Sequence, residues 1–475
     1  MLKEMNKKIM SNFIYQAGYQ LMMILLPIIT IPIVSRTLGA QGVGTWNFIY
    51  SVVSYFMLIG GLGLANYGVR EIALVKNNKA ALSKKFWELE LFNAFFSLGI
   101  LIIYLFLCLF LPNKELYLIL SISIFSVFLD VSWFFSGIED FKRVTLSNIC
   151  IRLVSFLCIV AFVRSKEDLA VYFIIQAGTT FCSQALFWLF LKGKIEFVRV
   201  SMYGIWQHFR PSLQFFIAKL SSTIFSNLNK TILGLMTSMS IVGIYSNSLM
   251  LVLMASSLVN ALNIVMIPHM SSLMSDKNEQ GMIVTLQKSI HIQLYFTIAI
   301  MFGIIATNKH LIGWFFGNEF EQMKLVVPLL SLTVVFQSFY VAVSTNYLIP
   351  KGELKAYNKS IFIGALVSVI TDLTLIPFMG IYGAVIGNLM GQFVVCTIVG
   401  RLLLRETTFT FQVKKLVISL VAAIIMAVVI IFLTKNLPSK PLTTLLQFVL
   451  GCALYLGITI KINPLKGLVK KNKME

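Results

Sequence analysis

The chain is built from apolar runs of about twenty residues, parted by short polar connections along most of its length. A helix rises about 1.5 Å per residue, so each run matches the roughly 30 Å hydrocarbon core of a bilayer. Lipid offers backbone groups no hydrogen bonds, so a spanning run has to be helical. Runs fall at 12–35, 44–66, 86–111, 115–137, 144–163 and 169–191, then at 211–236, 241–267, 287–307, 325–349, 357–378 and 381–404, with two more at 415–434 and 442–461. Leu111-Pro112-Asn113, Ile349-Pro350-Lys351-Gly352 and Asn436-Leu437-Pro438 read as turns between them. The fold class this predicts is an all-α integral membrane protein with about fourteen transmembrane helices and no separate soluble domain.

Composition agrees. Only 12% of the 475 residues are charged and 58% are hydrophobic, against about 25% charged in a typical soluble protein. The 39 Phe, 16 Tyr and 6 Trp exclude disorder. In a soluble domain a net charge of +20 would suggest nucleic acid. Here the placement of the basic residues argues otherwise. With the N-terminus inside, 28 Lys and Arg fall in inside segments, 8 in outside segments, and three (Arg152, Lys219, Lys230) within spans. Such an alternation predicts two cytoplasmic termini and no nucleic-acid partner. The first apolar run lacks a short signal-peptide core with a small-residue cleavage site, so no cleavable leader is expected.

Gly42-Val43-Gly44-Thr45-Trp46-Asn47 opens the second run and Ile241-Val242-Gly243-Ile244-Tyr245-Ser246 the eighth, six spans later. This short echo points to two parallel six-helix lobes, 1–191 and 211–405, around a central cavity. Segment 192–210, with Trp206, Phe209 and four basic residues, reads as a cytoplasmic interfacial linker. Residues 406–475 read as two extra helices and a basic tail. Between Leu416 and Leu433 the one polar side chain is Ser419, so these helices are expected at the periphery.

Polar residues within the first twelve runs fall in stripes. Lys219, Ser222, Ser226 and Lys230 lie within about 40° of one helical face, the lysines roughly 16 Å apart along the axis. Stacked like charges are costly in lipid, so the stripe implies an aqueous or anion-holding cavity. Thr145, Asn148, Arg152 and Ser155 form a second stripe. Others are Asn12, Gln16, Gln20; Asn47, Ser51, Ser54; Ser123, Ser126, Asp130; Gln176, Thr180, Ser183; and Gln337, Tyr340, Ser344. Arg152, Lys219 and Lys230 outweigh Asp130 and Asp372, which suits an anionic substrate such as a pyrophosphate. Two readings stay open for the acids. Asp130 is an ion-pair partner of one base or a coupling group; Asp372, beside Ser368 and Thr371, is a site for H+ or Na+ or a buried neutral carboxyl. Arg36 and Arg70 are candidates for gating the cavity or for snorkelling to head groups.

Soluble-enzyme motifs are not met. Gly60-Gly61-Leu62-Gly63 lies within an apolar run with no preceding strand, so close helix packing explains it better than a nucleotide loop. No Walker A motif is present. His208, His269, His291 and His310 have no ligand spacing, and the six cysteines (Cys108, Cys150, Cys158, Cys182, Cys396, Cys452) form no metal pattern, so no metal site and no catalytic group is expected. Glu88 and Glu90, two residues apart, point to different faces of a helix, which argues against their acting as a pair.

The opening Asn12-Phe13, the run Pro27–Gly44 (PIITIPIVSRTLGAQGVG) and residues 61–71 (GLGLANYGVRE) resemble bacterial polysaccharide repeat-unit flippases of the multidrug/oligosaccharidyl-lipid/polysaccharide exporter superfamily. The resemblance implies two six-helix lobes plus two further helices, alternating access, and a polyprenyl-pyrophosphate-linked oligosaccharide as substrate. It also implies membrane lipids as partners, with a polysaccharide polymerase and chain-length machinery downstream. No cofactor is implied beyond coupling to H+ or Na+. Two alternatives in the superfamily are a lipid II flippase and a multidrug/cation antiporter; the latter would want an acidic cavity.

Overall fold

The computed structural model describes residues 2–276 and 278–462. The side chains of Asn12, Gln16 and Gln20, together with Lys277 and the basic tail beyond 462, lie outside the described residues. The chain is helical throughout, with no strand among the described residues. In order the helices are α1 Leu2–Gly61, α2 Leu64–Val75, α3 Lys79–Cys108, α4 Lys114–Phe128, α5 Ser132–Gly137, α6 Phe141–Phe162, α7 Leu169–Leu189 and α8 Met202–Trp206. They continue with α9 Phe209–Met236, α10 Met239–Ser275, α11 Glu279–Phe315, α12 Met323–Leu330, α13 Leu332–Val343, α14 Leu354–Met379, α15 Ile381–Glu406, α16 Val413–Thr434 and α17 Pro441–Ile458. One π-turn, Ser344–Leu348, extends α13.

Among the described residues, twelve helical segments are long and apolar enough to cross a membrane, where about fourteen were expected. The difference has two sources. Leu25–Val75, 51 residues long, takes in two of the expected spans on either side of a break at Gly39. α9 is long enough, but Lys219 and Lys230 lie within it and it is not among the twelve.

The breaks follow local chemistry. Gly39 has φ 67° and ψ −179°, which ends one limb of α1 and starts the next. Asn113 takes a left-handed φ of 54° in the predicted Leu111-Pro112-Asn113 turn. Asn78 caps α3 by accepting from the N–H groups of Ala80 and Ala81, both at 3.1 Å. Asn278 caps α11 through the Gly281 N–H at 2.8 Å. The Gly60–Gly63 run interrupts the helix instead of lying within it. Gly63 has φ 77°, and a Cβ there would meet the Phe216 nitrogen at 2.5 Å. The glycine therefore admits the backbone of α9, and the Ser212 hydroxyl donates to the Leu62 carbonyl at that contact. Close helix approach was the expected role; the helix break was not.

Two compact units result, Met1–Asn227 and Leu228–Glu475, and the division falls inside α9. In the first unit an aromatic-rich core gathers Tyr67, Phe86, Phe92, Trp133, Phe134, Phe135 and Phe187. In the second, α16 and α17 pack on α11 and on each other. Tyr455 donates to the Tyr295 carbonyl at 2.8 Å, the Tyr295 and Thr459 hydroxyls meet at 2.6 Å, and Trp314 Nε1 donates to Thr444 at 2.8 Å. Many exposed Leu, Ile and Phe side chains remain along the helices, as a lipid-facing surface requires.

Candidate functional site

The three intramembrane cations stand apart from the acids. Arg152, on α6, is exposed and close enough to Tyr50 of α1 for its charge to act on that phenol. On α9, Lys219 is exposed and Lys230 half-buried. Arg152 and Lys219 belong to the first unit and Lys230 to the second. Among the described residues none of the three makes an ion pair. Their neighbours in the stripes are committed elsewhere. Ser222 donates to the Lys219 carbonyl (2.8 Å), Ser226 to the Ser222 carbonyl (2.9 Å), and Ser155 accepts from Thr179 of α7 (2.7 Å). The stripes thus offer charge and hold their hydroxyls in structural hydrogen bonds. Arg36 on α1 and Arg70 on α2 are both exposed.

Asp372 lies on α14 with no exposed surface. Neither carboxylate oxygen receives a hydrogen bond. One turn earlier, Ser368 accepts from the Asn229 amide of α9 (3.2 Å), and Asn388 of α15 accepts from Gln392 (2.9 Å). The buried Tyr245 phenol of α10 is close enough to feel the Asp372 charge. Gly387 allows this arrangement: a Cβ there would lie 1.9 Å from Asp372 Oδ1. A buried, undonated carboxylate among amide and hydroxyl oxygens can hold a proton or a small hard cation. No group of three or more His, Cys, Asp or Glu side chains able to hold a metal ion occurs among the described residues.

Asp130 follows α4 and accepts from the Ser132 N–H at 3.0 Å. No Lys or Arg lies within ion-pair distance of it among the described residues, so its neighbour is not one of the three bases.

Two buried networks went unread in the sequence. His208, just before α9, sets Nδ1 2.7 Å from the Tyr67 hydroxyl and Nε2 3.4 Å from Glu88 Oε2. Lys85 approaches Glu88 (3.4 Å) and Glu71 (3.6 Å), and Gly204 of α8 packs directly on Glu88. This cluster fastens the end of the 192–210 segment to α2 and α3. In the second unit, the Asn263 side-chain oxygen accepts from Gln293 (2.6 Å) and Asn346 (2.9 Å), while Ser338 donates to Gln293 (3.1 Å). The π-turn at Ser344–Leu348 places Asn346 in that network. Glu88 inside an apolar run was the available clue to the first network.

A family model described as polysaccharide biosynthesis protein matches residues 9–274, more than half the chain. The chain belongs to the polysaccharide biosynthesis protein family. A protein of Escherichia coli (strain K12) named as an O-antigen transporter is 25% identical over 349 residues, covering 71% of this chain and 84% of its own. Among solved structures, the lipid II flippase MurJ in an inward closed conformation superposes with a TM-score of 0.75 at 16% identity, covering 97% of this chain and all of that one. An inward-facing multidrug transporter of the MATE family superposes at 0.64 with 13% identity, covering 89% and 99%. The family and the fold agree with the resemblance noted in the N-terminal segments, and these relatives and neighbours are transporters and flippases, not enzymes. The protein is a multi-pass membrane member of the family.

Proposed function

We propose that the protein is a flippase that carries a polyprenyl-pyrophosphate-linked oligosaccharide from the cytoplasmic to the outer leaflet for polysaccharide biosynthesis. Membership of the polysaccharide biosynthesis family, on a fold shared with a lipid flippase, carries this reading. The physical obstacle to such transport is the loss of hydration around a charged, sugar-bearing head group crossing about 30 Å of hydrocarbon. Arg152, Lys219 and Lys230, with no carboxylate paired to them among the described residues, supply the compensating charge for pyrophosphate and acidic sugars while the prenyl tail remains in lipid. Asp372 is the coupling site for H+ or Na+ in this scheme, and Arg36 and Arg70 act at the ends of the path. Both termini are cytoplasmic. The 192–210 segment rests on the membrane interface through the exposed Phe197, Met202 and Tyr203. The product leaves to a polymerase and its chain-length machinery.

The test follows lipid-linked oligosaccharide in membranes with and without the protein, using a membrane-impermeant glycosidase or lectin. Protein-dependent exposure of the sugar on the outside supports the reading. Unchanged exposure together with efflux of lipophilic cations refutes it and favours an antiporter. The fold likeness to MurJ supports a second reading, lipid II as cargo; transport of a peptide-bearing disaccharide in preference to a repeat unit would identify it.

A further inference from the structure

We propose that Glu90 of α3, with Asp130 just after α4 as the neighbouring charge, forms a proton-loading site in the first unit, one exchangeable proton being taken on the Glu90 carboxyl. Glu88 and Glu90 leave α3 on opposite sides, and their surroundings differ completely. Glu88 is engaged by Lys85 and His208, whereas Glu90 is 2% exposed and neither of its oxygens receives a hydrogen bond. One turn further along α3, the Asn93 amide donates to the carbonyls of Val127 (2.9 Å) and Phe128 (3.4 Å). α3 is therefore held at this level against the C-terminal end of α4, where Asp130 follows two residues later. Asp130 is the ionisable group that acts on the Glu90 carboxyl.

The end of α4 carries the negative pole of its helix. Its local donors are already spent: Trp188 Nε1 on the Leu129 carbonyl (2.9 Å), Trp133 Nε1 on the Asp130 carbonyl (2.7 Å) and the Ser132 N–H on Asp130 Oδ1 (3.0 Å). An ionised Glu90 would face a desolvated site and a like charge with nothing to offset either. Asp130, half-buried, accepts from the Ser132 N–H and so has a donor that Glu90 lacks.

The remaining charges on packed elements are engaged elsewhere or distant. Glu71 of α2 binds Lys85, and Arg70 is exposed. α1 between Gly39 and Gly61 and α8 carry no charged residue, and Lys114 and Glu115 stand at the far end of α4, about 20 Å away along its axis. Loading forms an O–H bond on a Glu90 oxygen with a proton from hydronium. Release breaks that bond by returning the proton to water, which becomes hydronium, and leaves two carboxylates. The irregular backbone between α4 and α5 supplies the non-helical site that membrane proteins confine to the protein interior.

Use of this proton to drive transport rests on the proposed flippase function; its binding does not. The full chain is reconstituted in nanodiscs without substrate and followed by infrared difference spectroscopy as pH is changed. The expected result is a carboxylic C=O band that titrates in the wild type, is lost in Glu90→Gln and shifts in Asp130→Asn, both variants remaining monodisperse and helical. A band set unchanged by Glu90→Gln overturns the proposal. So does a Glu90 band that never titrates, or one displaced by Na+ at constant pH. A titrating Glu90 band alongside translocation indifferent to a pH gradient leaves the proton site standing and removes its role in driving the flippase.

Discussion

Gly387→Ala tests whether the pocket around Asp372 is as tight as the structure makes it. The added Cβ would sit 1.9 Å from Asp372 Oδ1, 2.9 Å from its Cγ and 3.1 Å from the Ser368 carbonyl oxygen. Real Cβ contacts essentially never fall below 3.0 Å, so the carboxylate has to swing away, and the Ser368 carbonyl leaves little room beside it. Gly303→Ala on α11 is the control, because its Cβ would meet nothing within 4 Å. Replacing a helical glycine by alanine in open surroundings stabilises by roughly 0.5–1 kcal/mol. Both substitutions gain that term, so their difference isolates overpacking, about 1–3 kcal/mol. Equilibrium unfolding of purified protein in detergent micelles, followed by tryptophan fluorescence, measures both. Gly303→Ala is expected to be more stable than wild type and Gly387→Ala less stable than Gly303→Ala by that margin. Gly387→Ala is also expected to lose translocation. Equal stability of the two variants would show that α14 and α15 do not approach as closely as described, and the Asp372 pocket would lose its basis.

Three further outcomes are expected. Replacing Arg152, Lys219 and Lys230 together by alanine lowers translocation of lipid-linked oligosaccharide at unchanged protein level, read by the impermeant-glycosidase assay; wild-type transport would remove these cations from the substrate path. Asp372→Asn keeps or raises thermal stability, because it deletes a buried carboxyl that receives no hydrogen bond, and it weakens the dependence of transport on an ion gradient. Burial, aided by the Lys85 charge, holds the His208 imidazole below its ordinary value of 6.5. The folded state thus binds this proton less well than the unfolded state, so the stabilisation is present above about pH 6.5 and is lost as pH falls below it. Thermal unfolding from pH 8 to 5 is expected to show that loss in the wild type and a flatter profile in His208→Gln; parallel profiles would refute it.

What the sequence made legible was whatever a short window can encode. Apolar length marks a helix, Pro112-Asn113 and Pro438 mark turns, and a single polar residue between Leu416 and Leu433 marks a helix that packs by one face on α11. The charge stripe on α9 was visible for the same reason, since Lys219 and Lys230 lie three turns apart. It is also why that helix falls short of the apolarity of its neighbours. Partners distant in sequence leave no such mark. His208 meets Tyr67 across 141 residues and Glu88 across 120, and Asn93 caps α4 across 34. Glu88 and Glu90 were correctly read as facing apart, yet that fact alone could not say that one face holds a lysine and a histidine while the other holds an aspartate. The difference decides their chemistry. Glu88 gains the Lys85 ammonium and the His208 ring as neighbours and becomes a fastening for the start of α9. Glu90 gains no such neighbour among the described residues and stays buried without a hydrogen bond. Two identical side chains two residues apart in the same helix acquire opposite roles from tertiary contacts, and the period of the helix directs each to its own environment.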